Sequence, residues 1–483
     1  VEPFSRRLPL RAWLAALLFV LLLLPKIGSG TLWHHDELLT ANRSRELLVR
    51  GDPFAVTLNF APSVKKPPLQ FWLCALLLRM LPGHPEFAVR LPTLLAGAGC
   101  ILAAAWLERV CFPGRNAALA AWTALILAGC GYLIHASRIA LLDPGAALLL
   151  TLALAGCQLA RRDPRWWWFV SFQCFLGAWQ KAPYGLAAWA LILIAERCFG
   201  SAQPGPDAAL PPAAAVRWAY HLPAAFVVAI IGAVGWWSIE WMRESHVLLA
   251  RAGAEQTHMF LRAHDPGDPG LRPWLYWAWL ARDWAVPGIC ATVAAVAALF
   301  AWRQKGPLVD LGLVCVVFGG VTAAFVYRSE RYLVLITPAL AVVTVHWLNQ
   351  LSRHLPTGVR RWVLPAVFAS TLPVAAFHYL EPSPAQPDLL AIARALRATL
   401  RPDERILVCT DAKSGFDTPE FVLFYADLHR PLKEAPLQTI ALLASEAGPC
   451  RGICGLAQWP QLSHSQPAAH RVATRGDWVL WAE

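Results

Sequence analysis

"LPLRAWLAALLFVLLLLPKI" at residues 8–27 is followed, after Gly28-Ser29-Gly30, by "TLWHHDELLTANRSRELL" at residues 31–48. The first stretch carries charge only near its ends. Its length is what a helix rising 1.5 Å per residue needs to cross about 30 Å of hydrocarbon. The second puts His34, His35, Asp36 and Glu37 in a row. A single-span anchor has no use for such a loop. Polarity this dense, a few residues past an apolar helix, sits at the depth of lipid headgroups. Its meaning depends on which face it occupies and on what shares that face.

Composition points the same way. The 483 residues are 57% hydrophobic and only 15% charged, against about 25% charged in soluble domains. Mean hydropathy is +0.45, and the 24 Trp suit membrane interfaces. The formal charge of +11 falls in short clusters between apolar runs. That is the pattern of cytoplasmic anchors rather than of a basic domain, so no nucleic-acid partner is expected. Arg6, Arg7 and Arg11 precede the first apolar run and no A-x-A-like cleavage site follows it, so it reads as a retained helix. The 12 Cys lie mostly singly inside apolar runs, as small hydrophobes.

Candidate spans are 8–27, 88–107, 116–136, 141–160, 165–180, 183–199, 217–238, 281–301, 307–327, 332–350 and 360–380. The Pro-flanked "PPLQFWLCALLLRMLP" (67–82) is shorter than a span and reads as an interfacial helix. With the N-terminus inside, eleven spans put Arg109 with Arg115, "RRDPR", "WRQK" and "RHLPTGVRR" on the cytoplasmic side. The outer face then receives Asp36, Glu37, Lys65, Lys66, Asp143, Lys181, the loop 239–280, Arg328 to Arg331, and everything after 380.

Past "EPSPAQPD" the chain changes character. "LLAIARALRATL" is apolar at helical spacing and "ERILVCTD" reads as a strand ending in a turn. The expected architecture is therefore mainly α. A polytopic membrane domain covers 1–380, with a first periplasmic loop with interfacial helices at 28–87 and a second at 239–280. A small soluble α/β domain covers 381–483. Cys450 and Cys454, four apart in the last part, are candidates for a short disulfide if it faces an oxidising compartment.

Asp36 and Glu37 offer carboxylates, and Lys66, before "PPLQFW", an ammonium at the same depth. Carboxylates beside cations at one membrane surface suit a lipid phosphate carrying a polar group. The carboxylate can take a proton from an attacking hydroxyl, and the cations can stabilise a departing phosphate.

The order of these motifs resembles the bacterial relatives of protein O-mannosyltransferases, including the lipid A aminoarabinose transferases, which are membrane glycosyltransferases of the GT-C fold class. The residues that carry the resemblance are Asp36-Glu37, Gly51-Asp52, Lys66-Pro67-Pro68-Leu69 and Arg90-Leu91-Pro92. "HASRIALLDPGAALLL" adds Arg138 and Asp143, "WQKAPYG" adds Lys181, and "SERYLVLITPAL" adds Arg331, Tyr332 and Pro338. The resemblance covers roughly residues 8–380. Two departures stand out: Lys65 where aminoarabinose transferases usually have Glu, and Leu39-Thr40 where they have Arg-Tyr.

The resemblance implies inverting transfer of a sugar from a polyprenyl-phosphate (undecaprenyl-type) donor to a lipid, glycan or protein acceptor at the periplasmic face of the inner membrane. Asp36 is the expected base, with Glu37 and Asp143 as further catalytic candidates. Lys66, Arg138, Lys181, Arg331 and Tyr332 are the substrate-binding candidates. No metal ligand set is read from the residues, no cofactor is assigned, and a divalent metal is left open. Each residue also has a plainer reading. Asp36 and Glu37 fit the positive start of an interfacial helix. Asp143 before Pro144 fits a helix start. Lys181 and Arg331 fit snorkelling anchors. His34 and His35 fit interfacial polarity. A polyprenyl-lipid carrier or a non-catalytic envelope assembly subunit are the alternatives at the level of the whole chain.

Overall fold

The structure is a computed structural model describing residues 8–63, 66–113, 117–181, 212–243, 250, 274–301, 307–324, 330–410, 418–446 and 448–483. Its helices are α1 (Leu10–Ile27), α2 (His35–Arg50), α3 (Leu69–Met80), α4 (Pro85–Cys111), α5 (Ala117–Ala128), α6 (Gly131–Arg138), α7 (Asp143–Ala160) and α8 (Trp166–Gln180). They continue with α9 (Pro212–Arg243), α10 (Trp274–Phe300), α11 (Pro307–Ala324), α12 (Thr337–Leu351) and α13 (Val363–Leu380). The chain divides into two compact units. One holds Val1–Pro25, Val64–Gln70 and Pro92–Glu381; the other holds Lys26–Ser63, Phe71–Leu91 and Pro382–Glu483.

The described residues of the first unit are mainly helical. On α1, Ala12, Ala16, Phe19 and Leu23 are buried while Leu14, Leu17, Leu18 and Leu21 stay exposed. A helix apolar on both faces belongs in hydrocarbon. Six described helices are long and apolar enough to cross: Leu10–Ile27, Pro85–Cys111, Asp143–Ala160, Phe226–Arg243, Trp277–Phe300 and Thr357–Leu380. A seventh is the bent pair α5–α6. The chain is thus a multi-pass membrane protein. The segment read as a span at 183–199 and most of the loop 239–280 lie outside the described residues.

The segment 116–136 is not one helix. It stops at Ala128 and restarts at Gly131 with a 60° bend. The cause is close packing of α13. A Cβ on Gly129 would meet Thr371 Oγ1 at 2.2 Å, and one on Gly131 would meet His378 Cδ2 at 2.7 Å. Small residues let backbones approach this way in membranes. The segment 332–350 begins as a tight turn of 3₁₀ helix, Glu330–Leu335, before α12.

The second unit mixes helix and sheet. It adds α14 (Pro387–Thr399), α15 (Thr418–Tyr425), α16 (Leu437–Ala444) and α17 (Trp459–Ser465). Its strands are β1 (Thr57–Leu58), β2 (Ala61–Pro62), β3 (Arg405–Cys409), β4 (Lys433–Ala435), β5 (Cys450–Gly455), β6 (His470–Arg475) and β7 (Trp478–Ala482). The large sheet runs β4-β3-β5-β7-β6. β3 is parallel to β4 and β5, while β7 runs antiparallel to β5 and β6. Its core gathers Leu407, Ile440, Trp459, Leu462, Val479 and Trp481. Cys450 and Cys454 both sit on β5 and both are free. Four residues along a strand separate them by about 13 Å, too far for a disulfide.

The opening polar segment is built into this second unit. α15 packs on α2. Asn42 Nδ2 donates to the Glu420 carbonyl at 2.8 Å, and Arg45 Nη1 to that of Leu428 at 2.6 Å. Asn59 Nδ2 donates to the Leu432 carbonyl at 2.8 Å, and the Leu432 N–H returns to Asn59 Oδ1 at 2.9 Å.

Candidate functional site

In the second unit, α2 begins immediately before the Asp-Glu pair. His34 is its N-cap, and its Nδ1 accepts the Asp36 N–H at 3.2 Å. That bond satisfies one of the four donors a helix start leaves open. His35 is exposed, and Asp36 is half-buried in the first turn, where the helix dipole favours a carboxylate.

Glu37 has a different setting. It is fully buried, and Arg90 of the "RLP" segment is 1% exposed. Arg90 Nε donates to Glu37 Oε1 at 2.6 Å and Nη2 to Oε2 at 3.1 Å. The remaining Arg90 donors reach the carbonyls of Ile27, Ser29 and Thr31 at 3.3, 3.0 and 2.8 Å. Glu37 Oε2 also accepts the Trp33 N–H at 3.1 Å. This fork is the geometry a guanidinium offers a carboxylate. It fixes the loop that carries Asp36.

Glu46 does similar work further along. It accepts Thr57 Oγ1 at 2.6 Å and the N–H groups of Asn59 and Phe60 at 2.8 and 2.9 Å. Asn59 and Phe60 have φ of 52° and 60°, a strained turn for such residues, held by a buried carboxylate.

In the first unit, Asp143 opens α7 and Lys181 closes α8. Lys181 Nζ donates to Asp143 Oδ1 at 2.6 Å, both side chains being buried. The ammonium also lies 4.9 Å from the centre of the Tyr332 ring, a cation–π distance. Beside them, Gln180 Nε2 donates to Gln70 Oε1 at 2.9 Å and to the Leu142 carbonyl at 3.1 Å. Gln70 Nε2 donates to Thr93 Oγ1 at 3.1 Å. So the segment after Lys66-Pro67-Pro68, the start of α7 and the end of α8 form one polar network. Lys66 itself is half-buried, four residues before Gln70. Ionisable groups buried in a membrane bundle are functional candidates, because leaving them there is costly.

Arg138 points elsewhere. Nη1 donates to the His378 carbonyl at 2.7 Å and to Glu381 Oε2 at 2.8 Å, and Nη2 to the Glu381 carbonyl at 2.8 Å. It satisfies the carbonyl end of α13. The Arg331 backbone belongs to the 3₁₀ turn that also carries Tyr332, and its side chain lies outside the described residues.

Of the eight residues singled out from sequence, Lys181 therefore meets both Asp143 and Tyr332. Asp36 and Glu37 share the start of α2 with opposite exposures. Gln70, Thr93, Gln180, Glu46 and Glu381 were missed, since a lone amide or carboxylate carries no pattern until its partner is known. Arg90 was noted only as a motif member.

Comparison with known proteins follows this geometry. Residues 10–196 match the family model for dolichyl-phosphate-mannose-protein mannosyltransferases. The undecaprenyl phosphate-alpha-4-amino-4-deoxy-L-arabinose arabinosyl transferase of Pectobacterium carotovorum is 30% identical over 188 residues, 37% of this chain and 33% of that protein. The protein of the same name from Yersinia pestis is 30% identical over 169 residues, 34% of this chain and 29% of that protein. The sequence match thus spans about a third of these curated relatives' length. ArnT from Cupriavidus metallidurans bound to undecaprenyl phosphate matches in structure with TM-score 0.73 and 15% identity, over 97% of both chains. The archaeal oligosaccharyltransferase AglB from Archaeoglobus fulgidus matches with TM-score 0.58 and 12% identity, over 94% of this chain and 70% of that one. The chain has the fold of these membrane transferases. The resemblance drawn from its motifs holds across its N-terminal part.

Proposed function

We propose that this protein is an integral-membrane glycosyltransferase that takes a sugar from a polyprenyl-phosphate donor. It passes the sugar to a hydroxyl of a lipid, glycan or protein acceptor at the periplasmic face of the inner membrane. Eleven spans, with the N-terminus inside and the part after residue 380 outside, give the charged loops that shared face. The acceptor oxygen attacks the anomeric carbon opposite the phosphate. The carbon–oxygen bond to phosphate breaks, the configuration inverts, and polyprenyl phosphate leaves.

Asp36 takes the acceptor's proton, and Glu37 is the positioning residue behind it. Lys181, with Lys66 and Arg331, steadies the charge that grows on the phosphate. Asp143 holds Lys181 in the absence of donor and gives it up to the phosphate. Aminoarabinose transfer to lipid A is the form of the reaction nearest to the arabinosyl transferases that the N-terminal part resembles.

The observation that carries the reading is the Lys181–Asp143 pair, 2.6 Å apart and buried, inside the 10–196 stretch that matches the mannosyltransferase family model. A lysine and a carboxylate enclosed among helix ends bring little structural return, whereas the lysine suits an anion that comes and goes. The test is reconstitution in nanodiscs with radiolabelled undecaprenyl-phosphate sugars and envelope lipid or protein acceptors, reading label transfer and undecaprenyl phosphate release. Transport of intact donor across a vesicle without any release would replace this reading by that of a carrier.

A further inference from the structure

A cluster of metal-ligating side chains stands where α6, α10 and α13 meet, and the transfer reaction makes no use of it. His135 lies on α6, His378 lies on the last turn of α13, and Glu381 follows directly after it. One ligand atom from each lies within 4.8 Å of the others. We propose that His135, His378 and Glu381 bind a zinc ion, independently of the sugar-transfer reading.

Two imidazoles and a carboxylate are a zinc donor set that leaves a fourth position open. Zinc–ligand bonds of about 2.0–2.1 Å put tetrahedral ligand atoms about 3.3 Å apart, which small rotations of half-buried side chains supply. Three further observations support a built site. The Nδ1 of His378 is buried with no hydrogen-bond partner among the described residues, an unmet polar atom of the kind a ligand would satisfy. Asp283 Oδ1 stands 4.0 Å from His378 Nε2, on the ring edge away from Nδ1, where a carboxylate can take the N–H that ligation through Nδ1 leaves at Nε2; water fills the fourth position. Arg138 fixes Glu381 through Oε2 at 2.8 Å, the outer support a ligating carboxylate has in metal sites.

The scaffold agrees. Gly131 has no side chain because His378 Nε2 and the Asp283 carbonyl occupy that space, each 2.7 Å from where a Cβ would be. The backbone breaks at Ala285 with φ 52°, two residues past Asp283, redirecting α10 beside the cluster. Zinc here would tie the end of α6, which leads into Asp143, to the end of α13.

The test uses full-length, tag-free protein in detergent, stripped with chelator and reloaded with zinc or cobalt. Mass spectrometry of bound metal should find one zinc per chain after gel filtration. Cobalt should give visible absorption of tetrahedral nitrogen and oxygen ligation without a near-ultraviolet thiolate band. Zinc at about 100-fold over its dissociation constant should raise the melting temperature by about 5 °C. His135→Ala and Glu381→Gln, eluting as wild type, should each lose binding at least tenfold, while His464→Ala should not. Absence of stoichiometric metal, a thiolate-type cobalt spectrum, or zinc content unchanged in both variants would each overturn the site. The cobalt spectrum of the wild type decides even if a variant fails to fold.

Discussion

Replacing Glu37 separates a scaffold role from a chemical one. Arg90 makes five hydrogen bonds, two to Glu37 and three to the carbonyls of Ile27, Ser29 and Thr31. Both side chains are essentially without solvent. Removing one partner of such a pair costs about 3–5 kcal/mol, because the remaining charge stays buried without its counter-ion. In Glu37→Gln the three carbonyls persist and an amide oxygen remains, so the lower end, about 3 kcal/mol, applies. In Glu37→Ala the Trp33 N–H also loses its acceptor, which brings the total to about 5 kcal/mol. At about 2 °C per kcal/mol for a large chain, the melting midpoint should fall by roughly 6 °C and roughly 10 °C. Tryptophan fluorescence during a thermal ramp in detergent reads this. Turnover per folded molecule at low temperature should stay within about tenfold, because no reacting bond is touched. A Glu37→Gln protein that melts within about 1 °C of wild type yet has lost transfer by about 10³-fold would refute the reasoning, and Glu37 would be a reacting group.

Other outcomes follow from the same geometry. Asp36→Asn should fold and bind donor yet lose about 10²–10⁴-fold in transfer, with Asp36→Glu also poor, measured as label transferred to acceptor; wild-type rates in Asp36→Asn with a dead Asp143→Asn would exchange the two roles. Tyr332→Phe should keep donor affinity, while Tyr332→Leu should lose about 0.5–2 kcal/mol of it in lipid-phosphate titrations, as the aromatic face over Lys181 goes. In the second unit three acids are pushed up from their ordinary values: Cys409 by its hydrogen bond with Cys454 and by burial, Tyr425 by burial and Glu86, and Cys450 to about 12 by burial and Glu483. They hold protons more tightly folded than unfolded, so stability is full below about pH 9 and falls as pH rises towards 12; melts between pH 8 and 11 should show this, with a shallower slope in Cys450→Ala.

The legible parts of this protein were those set by local rules. Apolar length marked α1, α4, α7 and α13, and the polar break after Ile27 marked the start of α2. Asp143 and Lys181 were legible as ionisable residues beside apolar runs, but not as partners, since they are 38 residues apart. Arg138 carried the same signal and turned out to hold the end of α13, because a guanidinium near a helix end serves an anion or a carbonyl equally well. The break in α5–α6 was hidden: Gly129 and Gly131 are tolerated in a membrane helix, and only Thr371 and His378 pressing on them explain the bend. The burial of Arg43 and Glu46 depends on Ser63 and on the turn from Thr57 to Phe60 folding back on α2, and that of Arg45 was not legible either, since its acceptor at Leu428 is 383 residues further along.

That distance has a consequence for biosynthesis. Asn42, Arg45 and Asn59 find their acceptors at Glu420, Leu428 and Leu432, which are 378, 383 and 373 residues further along. At about 5–20 residues per second, the ribosome reaches those acceptors roughly 20–75 s after making α2. Throughout that interval Asn42 and Arg45 lack those acceptors, and Asn59 lacks its pair of hydrogen bonds with Leu432. A chain cut short before residue 418 would therefore keep its first loop open to proteolysis even with every apolar helix inserted, and the last translated segment decides when the first one closes.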